Sequence, residues 1–124
     1  MRTRVLVVDD EELICRMIKR LLGSQRRFEI HSATTTLRAL QAFDHEGPFD
    51  ILLADVLMPG VGGVELARQL VGKKPDLKVI FMSGDLDQQR LPENALGLQK
   101  PFEPRDLLRA FERALLLPAH REFE

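Results

Sequence analysis

Several short apolar runs of this chain end in a residue that carries charge or a hydroxyl. Val5-Leu6-Val7-Val8 runs into Asp9-Asp10, Ile51-Leu52-Leu53-Ala54 into Asp55, and Val79-Ile80-Phe81-Met82 into Ser83-Gly84. A short final run from Leu96 to Gln99, weaker because it contains Gly97 and Gln99, ends at Lys100. Carboxylates gathered at one point repel each other and need a cation. Hard divalent ions with oxygen ligands meet that need, and Mg²⁺ commonly takes one or two carboxylates, several waters and a phosphate. Lys100 then supplies a compact positive charge and Ser83 a hydroxyl donor, a pair that complements a phosphoryl group bound on, or arriving at, a carboxylate. Asp9-Asp10 could instead serve as a helix N-cap and Asp55 as a turn residue, and either aspartate alone signals little. The five polar residues together, standing at the ends of four runs, are much harder to obtain by accident.

The runs have the length and continuity of strands buried on both faces of a parallel sheet, and Phe28 to Ala33 is a weaker candidate of the same kind. Helical stripes lie between them. Leu13, Ile14, Met17, Ile18, Leu21 and Leu22 recur at three- and four-residue steps before Gly23. Leu37, Leu40 and Phe43 form a second stripe, stopped by Gly47-Pro48, and Val64, Ala67, Leu70 and Val71 a third, stopped by Gly72 and Pro75. Pro104 opens a last one through Leu107, Leu108, Phe111, Ala114 and Leu115. Strand–helix alternation along the whole chain predicts an α/β fold with right-handed crossovers. Ligands of such open sheets bind beyond the carboxyl ends of the strands, where the five polar residues stand. One stretch breaks the rhythm. Residues 84–95 offer only Leu86, Leu91 and Ala95 as apolar side chains and are interrupted by Pro92. They read as a loop with at most one short turn and few apolar anchors.

With 124 residues, 44% hydrophobic and 30% charged, the chain is expected to form one globular domain over residues 1–124. Its core should span about residues 4–117, and residues 118–124 read as a polar, frayed tail. Lys plus Arg number 18 against 19 Asp plus Glu. That balance argues against direct nucleic-acid binding through phosphate electrostatics and against a basic membrane-surface protein. The lone Cys15 excludes an internal disulfide and a zinc cluster, which suits a reducing cytosol, and its place beside Ile14 reads as packing. No apolar run is long enough to span a bilayer. Met1-Arg2-Thr3-Arg4 followed by four apolar residues and two aspartates is no signal peptide, so a cytoplasmic location is expected. His31, His45 and His120 are scattered without ligand spacing.

Taken in order, Val7-Val8-Asp9-Asp10-Glu11, Leu53-Ala54-Asp55-Val56-Leu57-Met58-Pro59-Gly60, Met82-Ser83-Gly84 and Lys100-Pro101-Phe102 resemble the receiver domain of two-component response regulators. The resemblance covers residues 4 to about 117. It implies a doubly wound, five-stranded parallel sheet of flavodoxin-like order 2-1-3-4-5. It implies Asp55 as the phosphoacceptor for a phosphoryl group from a histidine kinase or histidine phosphotransfer protein. Asp10, Asp55 and the Leu57 main-chain carbonyl would ligate Mg²⁺, with Asp9 holding a coordinated water. Ser83 would hydrogen-bond the phosphoryl oxygen, Lys100 would pair with the phosphate, and the Lys100-Pro101 bond would be cis. Such a domain signals by conformational change and catalyses only its own phosphorylation and dephosphorylation. The resemblance fits a standalone regulator or a receiver from a hybrid kinase or longer regulator, and Met82-Ser83-Gly84 and Leu98-Gln99-Lys100-Pro101-Phe102 resemble the hybrid-kinase kind.

The chain departs from that pattern in two places. Relatives usually carry an aromatic residue where Gly97 stands, and a longer segment between hydroxyl and lysine than the sixteen residues found here. The fourth helix is therefore expected to be shortened or missing, and the change on activation to fall mainly on residues 84–95. Two other readings compete. A haloacid-dehalogenase-like, Mg²⁺-dependent phosphohydrolase would want a second aspartate where this chain has Leu57. A receiver-like module that binds partners without phosphorylation would not need Asp10, Asp55 and Lys100 together. Charge balance and the lack of a basic stripe on any helix predict that the chain does not bind DNA by itself. Salt-sensitive, submicromolar association with duplex DNA in a fluorescence anisotropy titration would contradict this.

Overall fold

The computed structural model describes residues 2–120. Five strands, β1 (Thr3–Val8), β2 (Phe28–Ala33), β3 (Ile51–Asp55), β4 (Lys78–Ser83) and β5 (Ala95–Gln99), form one parallel sheet in the order β2-β1-β3-β4-β5. Four helices connect and flank them: α1 (Glu12–Leu22), α2 (Thr36–Glu46), α3 (Gly63–Lys73) and α4 (Pro104–Ala114). The doubly wound 2-1-3-4-5 sheet is the expected one. Between β4 and β5 there is no α-helix, only a 3₁₀ turn at Leu86–Gln88, in line with the missing fourth helix of the pattern.

Because successive side chains of a strand point to opposite faces, each run is split between two cores. Leu6, Val8, Leu52, Ala54, Val79 and Phe81 pack beneath α2 and α3 with Ala39, Leu66 and Leu70. Val5, Val7, Ile51, Leu53, Ile80 and Met82 pack beneath α1 and α4 with Cys15, Ile18, Leu22, Leu107 and Phe111. The central strands read as unbroken apolar runs because both of their faces are covered.

The helical stripes are narrower than the sequence pattern suggests. Leu13, Leu37 and Leu115 lie exposed, and α2 buries Ala39 instead. A helix on one face of a sheet buries a single strip, and apolar residues at its margins stay in solvent. Capping follows the local sequence. Thr35 Oγ1 accepts from the Arg38 N–H at 3.1 Å at the start of α2. Asp106 Oδ2 accepts from the Glu103 N–H at 2.9 Å ahead of Pro104 in α4. Lys100-Pro101 is cis as expected, and Gly47-Pro48 is cis as well.

The segment after α4 is not frayed at its start. His120 is buried, its N–H donates to the Pro75 carbonyl at 2.9 Å, and its Nε2 meets the Leu77 carbonyl at 2.9 Å. Lys78 Nζ donates to the Leu117 carbonyl at 2.6 Å. These contacts tie residues 117–120 to the start of β4, so the polar composition of the tail hid an anchor. Residues 121–124 lie outside the described residues.

Burial holds the His120 imidazole below its usual pKa of about 6.5, opposed by the Leu77 hydrogen bond and aided by the nearby Lys78 charge. The neutral ring is thus the form the fold prefers. Its stabilisation is complete above the unfolded value and is lost as pH falls below it. His120→Gln is expected to reduce the loss of stability between about pH 7 and about pH 5 relative to wild type, in urea titrations at each pH. Equal losses in both proteins would contradict the assignment.

Candidate functional site

Alternation along the strands decides which polar residues meet. Asp9 continues the series Val5, Val7; Asp55 continues Ile51, Leu53; and Lys100 follows Leu98 by two residues. All three series face α1 and α4. Side-chain oxygens of Asp9, Asp10 and Asp55 lie within 4.8 Å of one another. Lys100 Nζ donates to Asp9 Oδ2 at 2.7 Å and to Asp55 Oδ2 at 3.2 Å. Asp9 and Asp55 are buried, Asp10 is exposed, and the Lys100 side chain keeps only 16% of its surface in solvent.

Each carboxylate has its second oxygen oriented locally. Asp9 Oδ1 accepts from the Glu11 N–H at 2.9 Å, and Asp55 Oδ1 from the Leu57 N–H at 3.1 Å. Burial acts to lower the Lys100 pKa, but the hydrogen bonds and charges of Asp9 and Asp55 outweigh it and raise the value above that of a free lysine. The ammonium therefore stays charged. Three clustered carboxylates with one ammonium form an all-oxygen donor set short of positive charge, which fits a hard divalent cation such as Mg²⁺.

Ser83 has the opposite parity. It is buried, and its Oγ accepts from the Asp85 N–H at 3.0 Å within its own turn. Main-chain bonds join its strand to both neighbours: the Lys100 N–H donates to the Ser83 carbonyl at 2.8 Å, and the Val56 N–H to the Met82 carbonyl at 3.0 Å. Leu57 is exposed, and its peptide reaches the site through its bond to Asp55. Every residue singled out by its place at a strand end thus stands at one edge of the sheet. Cys15 lies buried behind it, with its Sγ 3.6 Å from the Asp9 carbonyl. Burial and the Asp9 charge push its thiol pKa up, as suits a packing residue.

The sequence matches the family model described as "Response regulator receiver domain" over residues 5–112. The chain belongs to this family. It is 32% identical over 123 residues to "Response regulator receiver protein CpdR" of Brucella abortus, covering 91% of this chain and 97% of that protein. It is 38% identical over 109 residues to "Sensor kinase CckA" of the same organism, covering 83% of this chain but 11% of that protein. Among solved structures, chemotaxis protein CheY4 of Vibrio cholerae superposes with a TM-score of 0.77 at 27% identity, covering 93% of this chain and all of that one. The receiver family, with its flavodoxin-like sheet, decides against the phosphohydrolase reading. Among the described residues no helix is long and apolar enough to cross a membrane.

The site also depends on a residue outside the motifs of the sequence. Gly63 opens α3, and a Cβ there would lie 2.0 Å from the Asp55 carbonyl oxygen. Its N–H donates to the Val56 carbonyl at 3.1 Å, folding the β3–α3 loop tightly behind Asp55. The Gly62-Gly63 pair just before a helical stripe was the available signal. Helix propensity alone would make Gly63→Ala stabilising by about 1 kcal/mol. The backbone collision outweighs that, and a net destabilisation of about 2 kcal/mol or more is expected. Urea denaturation measures it, and an unchanged or higher midpoint would contradict the close approach.

Proposed function

We propose that Asp55 of this receiver domain accepts a phosphoryl group in a Mg²⁺-dependent reaction, from a histidine kinase or a histidine phosphotransfer protein. The observation that carries the reading is the Asp9–Asp10–Asp55 cluster with Lys100 bridging two of its members. An Asp55 carboxylate oxygen attacks the phosphorus of a phosphohistidine or an acyl phosphate, the bond to the leaving nitrogen or oxygen breaks, and the new P–O bond completes an aspartyl phosphate. Asp10, Asp55 and the Leu57 carbonyl would hold Mg²⁺, with Asp9 fixing one of its waters. The ion supplies charge neutralisation for the transferring group.

Lys100 and Ser83 hold the two sides of the product. The ammonium is already beside the Asp55 oxygen that would carry the phosphoryl group, and the Ser83 hydroxyl retains a proton to donate. The reaction turns over no external substrate as its purpose: the chain catalyses its own phosphorylation and dephosphorylation, and the aspartyl phosphate is the signal. Residues 1–124 act as a single receiver unit, in the cytoplasm, where phosphohistidine donors are held.

Acetyl phosphate with Mg²⁺ is expected to add one phosphoryl group, read by intact-protein mass spectrometry or phosphate-affinity electrophoresis. Asp55→Asn should abolish the addition and Asp10→Ala should reduce it at least about tenfold. Labelling that survives Asp55→Asn, or that proceeds normally in excess chelator, would reject the reading.

A further inference from the structure

The segment between β4 and β5 is fastened in a way the sequence does not announce. Gln99 is exposed, yet its carboxamide makes three hydrogen bonds. Oε1 accepts from the Leu86 N–H at 3.1 Å, while Nε2 donates to the Gly84 carbonyl at 2.8 Å and to the Lys100 carbonyl at 2.8 Å. A main-chain N–H can only donate and the two carbonyls can only accept, so just one orientation of the amide satisfies all three.

The same turn is held from its apolar side. A Cβ on Gly97 would lie 2.7 Å from Leu86 Cδ1 and 3.1 Å from Leu91 Cδ1, so these two side chains occupy the space over Gly97. Leu86 and Leu91 are thus the few apolar anchors of the loop, and they lie against the position where relatives usually carry a ring. Ser83 is the first residue of this turn, its Oγ bonded to the Asp85 N–H between the two groups Gln99 holds. Lys100 follows Gln99 directly.

We infer that Gln99 is a positioning residue, latching the turn at residues 84–86 to the Lys100 end of β5 and thereby setting how readily the Ser83 hydroxyl moves onto a phosphoryl group at Asp55. The inference rests on the phosphoacceptor reading above. Drawing Ser83 towards Asp55 pulls the turn with it and stretches the bonds to Gly84 and Leu86. The latch favours the conformation seen here, and a ligand on Asp55 must work against it. Without the carboxamide, the phosphorylated conformation becomes easier to reach although the resting protein is less ordered.

That pair of opposite changes separates positioning from simple support. The experiment compares wild type, Gln99→Ala and Gly97→Ala, each full-length and checked for native circular dichroism. Hydrogen exchange of the 84–86 amides is followed without ligand, and beryllofluoride binding with Mg²⁺ by titration. Gln99→Ala is expected to lose amide protection and to bind beryllofluoride about tenfold more tightly, the scale of two neutral hydrogen bonds. Gly97→Ala, which keeps the carboxamide but displaces Leu86, should change both readouts in the same directions.

Unchanged or weaker beryllofluoride binding by Gln99→Ala, with wild type binding normally, overturns the inference and leaves the phosphoacceptor reading standing. Unchanged 84–86 protection in Gln99→Ala overturns it as well. A wild type that binds no beryllofluoride overturns the phosphoacceptor reading itself, and the inference with it.

Discussion

The ammonium of Lys100 stands between Asp9 and Asp55, in a cluster that also contains Asp10. Two carboxylates about 4 Å apart repel by about 4 kcal/mol near a protein surface, and two contacts to one ammonium offset repulsion of that size. Removing one partner from such a buried arrangement typically costs about 3–5 kcal/mol, because the remaining charges stay desolvated. The strand order makes a lysine suitable for the task. With β4 between them, β5 and β3 are roughly 10 Å apart across the sheet, and β1 is a strand further. A long, flexible stem with a compact charge can cross that gap over the ends of the strands.

This charge arrangement depends on the packing beneath it. The alternation that sends Val5, Val7, Ile51, Leu53 and Leu98 into the core under α1 and α4 is the one that brings Asp9, Asp55 and Lys100 together. A shift of one residue in any of these strands would turn its polar end to the other face. Gly63 adds a separate constraint by letting α3 start against the Asp55 carbonyl. Packing and the geometry of the charge cluster are thus coupled at the strand ends, where the two cores stop and the charges begin.

Much of this was legible in the residues. Unbroken apolar runs such as Ile51 to Ala54 mark strands covered on both faces, and their polar ends mark where three carboxylates and a lysine gather. Asp9, Asp10, Asp55, Ser83 and Lys100 could be named from position and type. Residues 84–95 could be recognised as lacking a helix, because Pro92 and a thin apolar pattern admit no stripe. Other features depend on contacts distant in sequence. The anchor at His120 needs Pro75 and Leu77 beside it, the role of Gly63 needs the Asp55 backbone, and the three bonds of Gln99 need the turn at residues 84–86. Polar or small residues of this kind carry no periodicity, so pattern reading passes over them. The exposed Leu13 and Leu37 show the converse: an apolar residue beside a stripe matches its spacing without joining the buried strip.

Lys100 supplies one part of the positive charge that the carboxylate cluster calls for, and a divalent cation would supply the rest. Equilibrium unfolding of wild type and Lys100→Met across a Mg²⁺ series tests it most directly. Wild-type stability should rise with the logarithm of Mg²⁺ concentration once the site begins to fill. Lys100→Met should be less stable without Mg²⁺ and should gain more from it. A wild-type unfolding curve that does not move between chelator and millimolar Mg²⁺ would contradict the account.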